Sequence, residues 1–200
     1  MASVLLSILL AMSIPSAPAV PACTDTVMVR LLDVVPDLHV DVRYATTNNF
    51  TKRVLYPHDT LWARACMATA LAHAQRLAAE QGYKLKVFDA YRPLSVQRLM
   101  WSILPDERYV ADPAKGSRHN RGMAVDCTLL DGYGHELDMG TPYDDFSERA
   151  WTTYADLPTG VCANRKLLQS IMHEAGFDVL PTEWWHFDCR GWEQMGILNE

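Results

Sequence analysis

The chain has 200 residues, 49% of them apolar, and a net charge of −6 with no long basic run. That length and apolar content support one sizeable core, so a single domain is expected. The acidic balance excludes a nucleic-acid footprint, which needs clustered Lys and Arg, and no stretch is repeated or of low complexity.

Residues 1–22 contain no Asp, Glu, Lys or Arg. The run Val4-Leu5-Leu6-Ser7-Ile8-Leu9-Leu10-Ala11-Met12 is apolar but short of the roughly 20 residues that span a bilayer. Small residues and prolines follow, including Ala17-Pro18-Ala19. The pattern predicts a secretory signal over 1–22, removed from a mature domain at 23–200 that has no transmembrane helix. Positive charge at its start comes from the terminal amine alone. Val20-Pro21-Ala22-Cys23 resembles a lipoprotein cleavage box, although Pro21 fits it badly, and would put a lipid anchor on Cys23. The expected location is therefore periplasmic or extracellular, membrane-anchored if Cys23 is lipidated. Five cysteines is an odd number, and lipidation would leave four in a compartment where disulfides form. Cys127 and Cys189 read equally as a pair beside candidate ligands or as buried free thiols.

Residues 26–35 and 40–44 are rich in β-branched types and predict extended segments. Asp59 or Thr60 can cap a helix running to Glu80. Its Met67, Ala70, Leu71, Ala74, Leu77 and Ala78 recur at helical spacing, and Gly82 suits its stop. Residues 84–89 alternate like a strand, Arg92-Pro93 ends it, and 94–104 predicts a helix. A polar stretch follows at 105–116. Residues 123–130 predict a strand, and Asp131-Gly132-Tyr133-Gly134 a hairpin turn. Asn164 can cap a helix with Leu167, Leu168, Ile171, Met172 and Ala175 on one stripe and Gly176 after it. Residues 177–188 return as extended chain. Strands and helices mix without a βαβ rhythm, which predicts an α+β fold over a doubly wound parallel sheet.

Two stretches carry chemistry. Ser117-Arg118-His119-Asn120-Arg121-Gly122-Met123-Ala124-Val125-Asp126 sets a carboxylate in an apolar run, where an unpaired charge is costly. Asp126 therefore has a partner, such as Arg121, or coordinates an ion. Glu183-Trp184-Trp185-His186-Phe187 places an acid and a histidine three apart among aromatics. Together they offer His119, Asp126, His186 and Glu183. Two imidazoles and a carboxylate suit catalytic zinc, which keeps a position for water, and a further carboxylate can take a proton from that water. Spacing alone does not bring these groups together. In regular strands His119 would face away from Asp126, and Glu183 from His186, so Gly122 must turn the chain. His119 also reads as a loop residue and His186 as a satisfied core histidine, while Trp184 and Trp185 read as packing. Arg92, at the end of a predicted strand, suits either a developing oxyanion or an ion pair with Asp89.

The combination resembles the VanX-type D-alanyl-D-alanine dipeptidases. Residues 117–129 match their S-x-H-x-x-G-x-A-x-D-x-T-L signature, and Glu183-Trp184-Trp185-His186 their E-W-W-H. Arg43-Tyr44-Ala45-Thr46 with Asn49-Phe50, Asp89-Ala90-Tyr91-Arg92-Pro93, and Met139-Gly140 leading to Asp144 also match. The resemblance implies a compact α+β domain with a central antiparallel sheet flanked by helices. It implies one Zn²⁺ per chain, held by His119, Asp126 and His186. Glu183 would be the base, Arg92 would steady the tetrahedral transition state, and Ser117, Tyr44 and Asp144 would line a site for a small D,D-dipeptide. An exported member would act in cell-wall dipeptide turnover or recovery. Two alternatives share the zinc motif: a D,D- or L,D-carboxypeptidase trimming stem peptides, and a zinc-stabilised binding module without turnover.

Overall fold

A computed structural model describes residues 26–198. The expected leader at 1–22 and the anchor site Cys23 lie outside the described residues. In chain order the elements are β1 (Met28–Arg30), α1 (Leu31–Val34), β2 (His39–Val40), β3 (Trp62–Arg64), α2 (Ala65–Glu80), β4 (Lys84–Asp89), α3 (Leu94–Ile103), β5 (Ala124–Leu130), α4 (Thr159–Glu174), β6 (Phe177–Leu180) and β7 (Glu183–Cys189). Five strands form the main sheet in the order β2-β4-β5-β7-β6. Every pairing in it is antiparallel except β2 with β4. β1 and β3 make a separate antiparallel pair. The fold is α+β on a largely antiparallel sheet, as the sequence pattern and the resemblance predict. No helix among the described residues is long and apolar enough to cross a membrane.

The central strands explain where the polar residues had to go. Every residue of β5 and of β7 is buried, so both strands read as apolar runs with a few charged interruptions. Helix α2 covers β4 and packs on α4, which in turn lies against β6. The predicted stripe of α2 is buried at Met67, Ala70, Leu71, Ala74 and Ala78. Gln75 on the same face is buried because its Oε1 accepts the Leu85 N–H at 2.9 Å, which satisfies a backbone donor that apolar packing would leave unpaired.

Several element boundaries differ from expectation, among them the extended stretch expected at 40–44, of which only Val40 is in a strand while Arg43–Ala45 forms a 3-10 turn. The β-branched run at 26–35 is extended only to Arg30; there Leu31 donates its N–H to Leu61 O and buries its side chain in a helical turn. The second helix starts at Ala65, not at Asp59 or Thr60, because residues 62–64 are taken by pairing with β1. The fourth starts at Thr159, upstream of Asn164, after Pro158. The Asn164 amide instead donates to Asp138 O, so an apparent cap is a tie to a neighbouring loop.

Two irregularities in the sheet matter for the site. Between β4 and β5 the register shifts so that Val87 opposes Cys127 but Asp89 opposes Asp126, a bulge that leaves Phe88 unpaired. Between β6 and β7 Val179 opposes Phe187, and the next residue, Leu180, opposes Glu183. The intervening Trp184, Trp185 and His186 bow out of that ladder.

Candidate metal centre and active site

Asp126 and His186 are direct partners across β5 and β7. His119 reaches them from a 3-10 turn, His119–Arg121, that precedes β5. The turn ends at Gly122, whose φ of +67° is the left-handed region that favours glycine. A Cβ there would lie 3.3 Å from Arg64 N and 3.2 Å from Met28 Sδ. Both the conformation and the close approach therefore call for glycine, and this is the reorientation that the spacing of His119 and Asp126 required.

The three groups meet tightly. His119 Nε2 is 3.2 Å from His186 Nδ1 and 3.3 Å from Asp126 Oδ1, and His186 Nδ1 is 3.0 Å from that same oxygen. The remaining ring nitrogens fix the tautomers. His119 Nδ1 lies 2.6 Å from Ala90 O, and His186 Nε2 lies 2.9 Å from Asp188 Oδ1. Both partners only accept, so both of these nitrogens carry hydrogen. Two ring lone pairs and a carboxylate then point at one another with no donor between them. Such a trio is a ready set of ligands for a cation. Tetrahedral zinc with N and O ligands at about 2.0–2.1 Å has ligand–ligand edges of about 3.3–3.4 Å, close to the separations seen, so these residues fit the ion.

The surroundings hold the trio in place. Tyr143 donates its hydroxyl to Asp126 Oδ2 at 2.9 Å. Burial alone would raise Asp126, but His119 and His186 outweigh it and hold the carboxyl well below the usual range. Burial would likewise lower His186, yet Asp188 and Asp126 push it up to about 10. Asp188 is the outer carboxylate of a carboxylate–histidine–metal arrangement, and losing such a partner typically weakens metal binding by about 10–100-fold. Asp188→Ala is expected to raise the zinc dissociation constant by that factor, measured by competition with a chromophoric chelator.

Glu183 stands outside the trio with Oε2 3.8 Å from His186 Nδ1. Burial, partly offset by His186, pushes it up to about 8. A carboxyl with a raised pKa beside a metal trio is suited to taking and returning a proton. The irregular register of β7 is why two residues three apart in one strand face one cavity.

Arg92 is buried and closely held. Its Nε and Nη2 donate to Asp89 Oδ2 at 3.0 and 2.8 Å, and Nη1 donates to Gln97 Oε1 at 3.0 Å. Tyr56 donates to the other Asp89 oxygen at 2.6 Å. The two sequence readings of Arg92 are therefore compatible: the ion pair with Asp89 exists, and Nη2 is still 3.9 Å from Asp126 Oδ2. Tyr44 donates to Asp144 Oδ1 at 3.0 Å, and the Phe50 N–H to Oδ2 at 3.2 Å. Burial raises Asp144 to about 7 against those two bonds. Ser117 Oγ accepts the Asn120 N–H at 3.2 Å, which leaves its own proton to donate.

All eight predicted site residues line one cavity of ≈ 280 Å³. Asp188, Tyr143 and Gln97 were not singled out from sequence. Only Asp188 left a signal, two residues beyond His186 and hence on the same face of a strand. Trp184 and Trp185 are both buried, and Trp185 also lines the cavity. Cys127, Cys162 and Cys189 are free thiols and Cys66 is disulfide-bonded, so Cys127 and Cys189 follow the free-thiol reading.

The family model of the D-ala-D-ala dipeptidases, peptidase M15, matches residues 24–195. The chain belongs to this dipeptidase family. The D-alanyl-D-alanine dipeptidase of Escherichia coli is 38% identical over 82% of this chain and 84% of its own length. Those of Enterococcus faecium and Enterococcus faecalis are 31% and 32% identical, over 79% and 74% of this chain and 89% and 83% of theirs. Dipeptidases of the M15 family are zinc-dependent, in agreement with the acceptor trio. The chain is a metallopeptidase of that family, and zinc is its cofactor.

Proposed function

We propose that this chain hydrolyses D-alanyl-D-alanine to two D-alanines, with His119, Asp126 and His186 holding the zinc ion. The observation that carries this reading is the cavity itself. It places the trio, Glu183, Arg92 and the acid Asp144 around ≈ 280 Å³, a volume at the small end of ligand sites of about 300–1,000 Å³. It suits a short substrate whose ammonium group meets Asp144.

When bound, zinc supplies Lewis-acid chemistry that acidifies water and polarises a carbonyl. Glu183 takes the proton of the attacking water and delivers it to the leaving amine. Arg92, fixed by Asp89 and Gln97, presents its charge where the oxyanion develops, without reorganising at the moment of reaction. The test is substrate length. Incubated with D-alanyl-D-alanine and with a pentapeptide ending in D-alanyl-D-alanine, the enzyme is expected to release D-alanine only from the dipeptide. Release from the pentapeptide alone would assign a carboxypeptidase instead.

We also propose export, with the dipeptide coming from wall turnover or scavenging. The charge-free leader supports this, and so does the disulfide at Cys66, since disulfides persist in oxidising compartments. Mass spectrometry of cell fractions checks it: an intact N-terminus in the cytosol would remove the basis.

A further inference from the structure

A dipeptide carries charge at both ends, and the roles given so far account for one. The ammonium has Asp144; the carboxylate has no cation assigned. Three guanidinium groups line the cavity among the described residues: Arg92, Arg108 and Arg118. Arg92 uses Nε, Nη1 and Nη2 on Asp89 and Gln97. Arg108 is bound through Nε and Nη2 to both oxygens of Asp106, and its side chain is 68% exposed.

Arg118 differs from both. Its Nε is buried without a hydrogen-bond partner. The nearest carboxylate oxygen, Asp188 Oδ2, is 3.5 Å away, too far for a good charged hydrogen bond. The guanidinium lies over the Trp192 ring, 4.5 Å from its centroid, a contact that takes up none of its N–H donors. Its backbone directly precedes His119, so its place is tied to the trio.

A chain of contacts links Asp144 and Arg118. They run from Asp144 to Tyr44, from Tyr44 to Arg92, from Arg92 to Asp126, on to His186 and Asp188, and end at Arg118. Asp144 and Arg118, the most loosely paired of the cavity's guanidinium groups, are the two ends of this chain of contacts, and the reacting groups are its middle links. Ser117, next to Arg118, has a hydroxyl proton to donate.

We propose that Arg118 binds the C-terminal carboxylate of the substrate and so makes the enzyme selective for a free C-terminal acid. This rests on the dipeptidase reading above. A planar guanidinium pairs with a carboxylate through two parallel N–H bonds, and such a pair distinguishes an acid from its amide by charge.

The test compares D-alanyl-D-alanine with D-alanyl-D-alaninamide on the zinc-loaded enzyme. Wild type is expected to favour the acid. In Arg118→Ala, kcat/KM for the acid is expected to fall about 10- to 100-fold, the range of a lost charged hydrogen bond, chiefly through KM. The amide should be cleaved as by wild type, and zinc content should not change. Arg118→Gln, which keeps a polar side chain without the charge, should behave like the alanine variant and guards against misfolding. Arg118→Lys should restore part of the preference.

An equal fall for acid and amide would overturn the proposal and leave Arg118 a support for Asp188. So would a wild-type enzyme that turns over acid and amide alike. A wild type inert to both would instead sink the dipeptidase reading, and the proposal with it.

Discussion

Glu183→Gln is expected to retain zinc and lose about 10²–10⁴-fold in kcat, the usual contribution of a positioned general base. The side chain is near the trio but not of it, so its replacement leaves the ligands intact. Stability should not suffer. Burial already holds this carboxyl up at about 8, which means the charged form is disfavoured there, and a neutral amide of the same shape removes that cost. Metal analysis and kcat on one preparation separate the two effects. Full turnover in the variant would reject Glu183 as the base.

His119→Ala and His186→Ala are expected to cost more, because they remove the ion along with its chemistry. Each takes one of three ligand atoms that lie 3.0–3.3 Å apart. Each also leaves Asp126, 2% exposed, with one fewer positive or hydrogen-bonding neighbour. Breaking a buried charged group's partnership typically costs about 3–5 kcal/mol, so a lowered melting temperature should accompany the loss of metal. Zinc content below a tenth of wild type, with activity at background, is the expected result. Stoichiometric zinc in either variant would mean that the trio is not the site.

How much of this was legible follows from the kind of information each residue carries. Helical and strand periodicity located α2, α3, α4, β4 and β5, because their buried stripes are local patterns. Their starts were less legible where a partner decided them: β3 claims residues that could have capped α2, and Asn164 serves a loop instead of a helix. The motif residues His119, Asp126, Glu183 and His186 stood out as polar groups in apolar surroundings. Their convergence did not. It depends on the left-handed Gly122, on the cross-strand pairing of Asp126 with His186, and on the register jump opposite Leu180. None of these is a property of spacing along one strand. Tyr143 and Gln97 were invisible for the same reason: their partners are distant in sequence or turned by a loop, and a lone Tyr or Gln carries no charge to mark it.

The central claim is that one cation sits among His119, Asp126 and His186 and that dipeptide hydrolysis depends on it. The most direct measurement follows release of D-alanine from D-alanyl-D-alanine before chelation, after metal removal, and after readdition of zinc, with zinc per chain determined at each stage. One zinc per chain, loss of activity with the metal, and recovery on reloading are predicted. Undiminished hydrolysis by demonstrably metal-free protein would contradict the account.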